Sequence, residues 1–391
     1  MDADKAGVVA TADDRGLANR WYTDADAWDA ERDALFARGW ACLGHEGEVA
    51  APGDVLPKDL MGLPLLLVRT KAGTVNVFHN VCRHRGMKLA DKPCPGRGRI
   101  ICPYHAWSYD LDGTLCATPH IGGEKVHEVA GFDRSRWGLL PVRSAVWFGL
   151  VFVNIDGAAP PFEQVIAPLA RRWQAWSLDG FRLGGADCRW ALEVRANWKL
   201  AVENYCEAYH LPMVHPGLNQ YSRLGDHYNI THQGRAEGPE AWFAGQGTRV
   251  YNPARGDGEC LAPLPDLPPA LHRVGEYVAL FPNALLGVHI DQAFAMVLEP
   301  QAPDRTVERV FLAYVGDAAT DPAFAGARAA NLRAWQDVFV EDVFAVEGMQ
   351  AGRHSPAFDG GAFTPLMDAP TLVFHRWAQA RLVAERIAGA G

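Results

Sequence analysis

The sequence predicts an α+β protein in which an all-β module precedes a module of mixed helices and strands. Two observations predict it. From about residue 37 to 155, short β-rich runs (LPLLLVRT, TVNVFHNV, RIICPYHAW, VWFGLVFVNI) alternate with Gly, Pro and Asp turns such as LDGT. Beyond 156 the texture changes to longer helical patterns interleaved with strands, and two helices close the chain over roughly 322–350 and 370–388.

The elements follow in order. Residues 1–36 are polar, with Trp21, Trp28 and Leu35 spaced along them, which predicts a short helical segment packing on the later module. The all-β module occupies 37–155 and the mixed module 156–391. Within the latter, PPFEQVIAPLARRWQAW reads as a helix and CRWALEVRANW as a strand. In WKLAVENYCEAYH, Trp198, Val202, Tyr205 and Tyr209 fall at i, i+4, i+7 and i+11, the stripe of an amphipathic helix ending near 210. Lys199, Glu203, Glu207 and His210 share its opposite face, which makes Glu207 and His210 neighbours at i, i+3. Residues 216–275, rich in Gly, Pro and aromatics, read as loops that line or cover a site. Strands resume with EYVALFPNALLGVHI, AFAMVLEP and ERVFLAYVG.

Composition excludes several classes. Hydrophobic residues make up 49% and charged residues 21%, an ordinary globular balance, and the net charge of −9 argues against a nucleic-acid surface. The acidic start, MDADKAGVVATADDRG, has no apolar core and does not read as a signal peptide; the longest apolar runs have strand length, short of a membrane span. A cytoplasmic protein is expected. There the eight cysteines (42, 82, 94, 102, 116, 188, 206 and 260) stay reduced, and clustered ones point to metal.

One such cluster stands out. Cys82-Arg-His84 and Cys102-Pro-Tyr-His105 lie in turns between strands, seventeen residues apart. Two thiolates and two imidazoles suit zinc, or a [2Fe–2S] cluster with the cysteines on one iron and the histidines on the other. Cys94 and Cys116 fall outside the pattern and read as small buried thiols.

A second constellation lies in ENYCEAYHLPMVHP. His215 is five residues beyond His210; in a continued helix it would point about 140° away. Pro212 is expected to stop the helix, push Leu211 out of the α region and let the chain turn His215 back beside His210. Two imidazoles and one carboxylate make the facial triad of non-haem Fe(II) oxygenases. The candidate acid is Asp342, flanked at helical spacing by Val338, Ala345, Val346 and Met349; Glu341 and Asp337 lie on a more polar face and read as solvated. The plain alternatives are a core histidine for each imidazole and a surface acid or arginine partner for Asp342. His227, His232, His272, His289, His354 and His375 read as structural or surface residues, with His289 able to face a pocket.

CRHRG followed by CPYHAWSYDLDG resembles the signature of Rieske proteins, and both motifs in this order resemble the α subunit of Rieske non-haem iron oxygenases over almost the whole chain. The resemblance implies an all-β Rieske [2Fe–2S] domain and a helix-grip (START-like) catalytic domain with a mononuclear Fe(II). By position, Cys82, His84, Cys102 and His105 would hold the cluster, and His210, His215 and Asp342 the iron. Glu207 would bridge His210 and the partner subunit's His105 in a homotrimer, passing electrons between subunits; its plain alternative is a surface acid. The family usually has Asp at the bridge and one more residue before it. The shorter ENYCEAYH with Glu is closer to the branch that oxidises carnitine, glycine betaine and related quaternary ammonium compounds.

No nucleotide or flavin fingerprint is present, so electrons are expected from a separate NAD(P)H-dependent reductase. Two substrates for O₂-dependent hydroxylation compete. One is a quaternary or methylated amine losing an N-methyl group. Tyr205, Tyr209, Tyr221, Tyr228, Trp242, Phe243, Tyr251, Phe281 and Phe294 offer a cation–π cage for it. The other is an aromatic ring or aromatic acid, with Arg223, Arg235 or Arg249 as partner for a carboxylate. A zinc-stapled, non-redox ligand carrier and an oxygenase partner with dead iron sites are the readings of another class.

Overall fold

The computed structural model describes residues 9–11, 13–234, 241–251, 253 and 260–388, the last five of these as backbone. The chain forms two compact units, Cys42–Ala158 and a second built from Met1–Ala41 with Ala159–Gly391. The α+β class read from the sequence holds.

In the first unit the short β-rich runs pair as three three-stranded sheets. Val55–Leu60, Leu63–Arg69 and Val75–His79 form one, and Ile100–Ile101, Ser108–Tyr109 and Leu115–Ala117 another. Ala41–His45, Leu150–Asn154 and Arg143–Trp147 form the third, in that spatial order. The first two sheets share one core that includes Leu66, Val68, Phe78, Trp107 and Tyr109. Cys82 and Cys102 belong to that same core, at 2% and 3% exposure.

The other unit is organised by an eight-stranded antiparallel sheet. Phe181–Leu183 and Arg189–Val194 both pair with Arg305–Val315, and from there the order runs Gln292–Ala302, Ala284–Val288, Gly275–Leu280, Phe243–Thr248 and His227–His232. The strands Gly275–Leu280 and Ala284–Val288 are buried along their whole length, as apolar runs covered on both faces must be. The helices Trp198–Cys206, Ala325–Gly352 and Ala369–Ala388 pack against the sheet. Among the described residues, no helix is long and apolar enough to cross a membrane.

Two expectations need correction. The stretch 216–275, read as loops, contains the strands His227–His232 and Phe243–Thr248. FAGQGT carries no β-branched alternation to announce itself. It pairs with a strand on either side, and its glycines fit that close approach: a Cβ on Gly245 would run into the Tyr277 carbonyl.

The helix expected to be amphipathic and to end near 210 is neither. It spans Trp198–Cys206 and is buried nearly all round, Lys199 and Glu203 included. Its supposed polar face meets side chains from three other segments. Lys199 pairs with Glu31, itself bonded by the Trp198 indole, and with Asn197 Oδ1 at 2.7 Å. Glu203 accepts from the Tyr22 hydroxyl and from Arg353 at 3.1 Å, and His375 Nε2 lies 3.6 Å away. Burial pulls the Lys199 pKa down and pushes the Glu31 pKa up, each opposed by the other's charge. A polar stripe in a sequence thus marks either solvent or a paired interior, and only the fold distinguishes them.

Candidate metal centres

The two cysteine–histidine turns are built alike. Gly86 N–H returns to the Cys82 carbonyl at 3.1 Å, and Cys82 N–H donates to Met87 C=O at 2.8 Å. In the second turn Ala106 N–H returns to the Cys102 carbonyl at 3.0 Å, and Cys102 N–H donates to Trp107 C=O at 2.8 Å. Each turn closes through a left-handed residue four positions after its cysteine, Gly86 at φ +73° and Ala106 at φ +55°. The result is a buried thiol and an outward imidazole from each turn. The His84 and His105 rings lie 4.7 Å apart between centroids, and His84 stacks on Trp107 at 4.7 Å and 10°.

These residues fit a cluster on two observations. His105 Nδ1 is buried and has no hydrogen-bond partner among the described residues, a costly state for a ring nitrogen unless a ligand takes its lone pair. The Tyr109 hydroxyl lies 3.3 Å from Cys82 Sγ and also accepts the Arg83 N–H at 3.1 Å, so a sulfur-directed polar group stands ready inside the core. Cys94 and Cys116 are half-buried and bond to the Lys92 and Ser108 carbonyls, away from this pair.

In the second unit, His210, His215 and Asp342 converge, with one ligand atom from each lying within 4.8 Å of the others. His215 Nε2 is 3.0 Å and His210 Nε2 3.8 Å from Asp342 Oδ1. Metal bonds of about 2.1 Å at right angles set donor atoms about 3 Å apart, so two nitrogens and one carboxylate are close to a ligating arrangement.

The way they meet differs from the sequence expectation. The helix stops at Cys206, and Glu207 is extended at φ −120°, ψ 158°. The break therefore comes five residues before Pro212, and Pro212 is not its cause. Pro212 instead enters the next one-turn helix, Leu211–Val214, near its start, where its missing N–H costs nothing; Leu211 stays helical. Glu207 itself drives the reversal. Its Oε2 accepts the N–H groups of Tyr209 and His210, as a capping residue does, and its Oε1 holds His210 Nδ1 at 2.7 Å. The Gln246 side chain satisfies the Glu207 carbonyl at 3.0 Å.

Two neighbours of the triad escaped the sequence reading. Asn204 Nδ2 donates to Asp342 Oδ1 at 2.8 Å; an asparagine inside a helix is a weak helix former, and that was the available signal. Glu341, expected to be solvated, lies 2.8 Å from His215 Nδ1. Asp337 is exposed, as expected. Burial works against protonation of His215, but Asp342 and Glu341 outweigh it and its pKa moves up, so the site favours positive charge. Glu308, on the strand Arg305–Val315, is buried without a hydrogen-bond partner among the described residues. Burial first, then the negative field of Asp342, push its pKa up to about 8.

A cleft opens onto the triad. Its aromatic walls are Tyr205, Tyr277, Phe294, Trp335 and Phe339, with Asn204, His227 and Gln246 as polar members. Of the expected cage residues only Tyr205 and Phe294 are there. Tyr209 is exposed, Tyr228 bonds Glu276, and Phe281 packs on Phe374 and Trp377. Tyr221, Trp242, Phe243 and Tyr251 do not line it either. Tyr277, Trp335 and Phe339 were missed because they come from a central strand and the long helix, not from the loops. His227, expected to be structural or on the surface, lines the cleft; it is held by Gln246 Oε1 at 2.6 Å and Ser222 Oγ at 2.9 Å, and burial lowers its pKa. His289 does not line the cleft but meets the Tyr277 hydroxyl at 3.0 Å. Arg223 and Arg249 are not among the lining residues, Arg249 lying over the Tyr228 ring, and Arg235 falls outside the described residues.

The sequence pattern described as ring hydroxylating alpha subunit (catalytic domain) matches residues 182–384, just over half of the chain. This chain belongs to that family. The pattern of the Rieske [2Fe–2S] domain matches residues 39–130 ahead of it, so this ring-hydroxylating α-subunit relative has a Rieske cluster and a mononuclear iron as its cofactors. It is 33% identical over 215 residues to the carnitine monooxygenase oxygenase subunit of Acinetobacter pittii (strain PHEA-2), covering 54% of this chain and 56% of that protein. The chain thus spans about half the length of the curated relatives of this kind that it matches. It is 28% identical over 376 residues to the chloroplastic choline monooxygenase of Arabidopsis thaliana, covering 91% of this chain and 80% of that one. The solved structure of the quaternary ammonium Rieske monooxygenase CntA in complex with L-carnitine has the same fold. It matches with a TM-score of 0.73 at 23% identity, over 94% of this chain and 95% of that chain.

Proposed function

We propose that this family member is the terminal oxygenase component of a two-component system, using O₂ and electrons from a separate NAD(P)H-dependent reductase to hydroxylate a quaternary ammonium or methylated amine at an N-methyl group, which then leaves as formaldehyde. In this reading the cluster domain spans 37–155 and holds its [2Fe–2S] group through Cys82, His84, Cys102 and His105, while the catalytic domain spans 156–391 and holds iron through His210, His215 and Asp342. When bound, the cluster supplies electrons and the iron activates O₂. The residues of the chain do the rest. Glu207 keeps the His210 proton on Nδ1, so that Nε2 presents a lone pair, and offers a hydrogen-bonded path towards the partner subunit's His105.

The observation that carries the substrate class is the composition of the cleft. Five aromatic side chains and the Asp342 carboxylate line it, and no Lys or Arg is among the described residues there. Faces of Trp and Tyr attract a methylated cation by about 0.5–2 kcal/mol each. The relatives named for carnitine and choline oxidation support the same class. A homotrimer is supported by the exposed apolar side chains around the triad: Tyr209, Met213, Val340 and Phe344 are costly to leave in water and suit a second copy.

The test is substrate-dependent O₂ uptake with a surrogate reductase, comparing quaternary amines with aromatic acids, with formaldehyde measured alongside. Uptake with equimolar formaldehyde for an amine is expected. Turnover of aromatic acids alone would establish ring hydroxylation instead, and a colourless protein containing zinc would remove the oxygenase reading altogether.

A further inference from the structure

Each imidazole of the triad is held from behind by a glutamate, but the two glutamates are not equivalent. Glu207 is largely buried, and its second oxygen is engaged by backbone N–H groups. Glu341 has 40% of its side chain exposed, and among the described residues its only partner is His215. It precedes Asp342 directly on the helix Ala325–Gly352. Consecutive helical residues point about 100° apart. The pair therefore straddles one ring: Asp342 Oδ1 lies 3.0 Å from His215 Nε2, and Glu341 Oε2 lies 2.8 Å from Nδ1.

Two tautomers are open to His215 in this clamp. His215 is 2% exposed, so the partners of its ring nitrogens are these two carboxylates. With the proton on Nδ1, it is donated to Glu341, and the Nε2 lone pair faces the space shared with Asp342 and His210. With the proton on Nε2, His215 instead donates to Asp342, and that hydrogen bond closes the space to a cation. A cation between Nε2 and Asp342 selects the first form, and Glu341 is the acceptor that its Nδ1–H then needs.

We propose that Glu341 is the positioning residue of this centre: it locks His215 as the Nδ1–H tautomer and thereby keeps the site open to the metal. The assignment rests on the reading of His210, His215 and Asp342 as iron ligands. It separates two roles that the matching glutamate–imidazole distances conceal. Glu207 serves transfer between centres; Glu341 serves retention of the ion.

The experiment is iron retention by the full, iron-loaded chain against a ferrous chelator, with released Fe(II) measured by colour and the cluster followed separately by its own visible absorption. For Glu341→Ala, affinity for the non-cluster iron is expected to fall by about 10–100-fold with the cluster spectrum unchanged. Glu341→Gln keeps an acceptor oxygen for Nδ1–H and is expected to stay near wild type. Equal retention by Glu341→Ala and wild type overturns the assignment. So does a Glu341→Gln as weak as Glu341→Ala, since charge and not tautomer would then be responsible. A wild-type chain with no iron beyond its cluster overturns the ligand reading, and this assignment with it.

Discussion

Glu207 Oε1 and His210 Nδ1 lie 2.7 Å apart across a chain reversal, not along a helix face. One carboxylate therefore performs two tasks, capping the turn through Tyr209 and His210 and fixing the imidazole. Glu207→Gln retains most of the shape but removes the charge and puts a donor where the backbone donors point. The cluster colour and iron content should be those of wild type, with product formation lower by about 10–100-fold. Wild-type turnover in this variant would remove Glu207 from the transfer path.

The Lys199–Glu31 pair is fully buried. Breaking one side of such a pair leaves an uncompensated interior charge and costs about 3–5 kcal/mol. Lys199→Met should lower the urea midpoint of the second unit by a corresponding amount. Adding Glu31→Gln should restore much of the loss, because neither member of the pair then leaves an unmatched buried charge. Additive losses in the double variant would show that the pair does not act as a unit.

The two cluster turns offer a matched backbone test. Ala106 occupies the left-handed region at φ +55°, where an L-residue other than glycine costs about 1–2 kcal/mol. Gly86 occupies it at φ +73°, and a Cβ there would meet nothing within 4 Å, so replacement is purely a conformational cost. Gly86→Ala should therefore destabilise the cluster unit by about 1 kcal/mol, and Ala106→Gly should be neutral or mildly stabilising. Thermal loss of cluster absorbance reads both; equal losses from the two substitutions would contradict the geometry.

Glu308 gives a pH prediction. Its folded pKa is raised to about 8 from an ordinary value near 4.5, burial being the main cause. Between those values the folded chain holds a proton that the unfolded chain has released. The group is thus least costly below pH 4.5, and its penalty grows as pH rises towards 8. Glu308→Gln should flatten the stability profile across that window and gain up to a few kcal/mol at its upper end. An unchanged slope in urea titrations at several pH values would mean the carboxyl is already compensated.

How much of this was legible in the sequence depends on how local each feature is. The cysteine–histidine pairs could be read because each comes from a single tight turn, and short spacing dictates what one turn can present. Asp342 could be singled out because helical periodicity set an acid among apolar neighbours. The same logic failed for Glu341, whose partner His215 comes from 126 residues away. It gave no partners for Lys199 and Glu203, whose polar stripe proved to be a paired interior. Part of the cleft wall was missed for a related reason: Tyr277, Trp335 and Phe339 face one space with Phe294 only because a central sheet and a long helix cross there. Local spacing determined which chemistry this chain carries. Tertiary packing decided which side chains hold it in place and what it receives, because burial and pairing are properties of elements brought together and leave no periodic trace in any one of them.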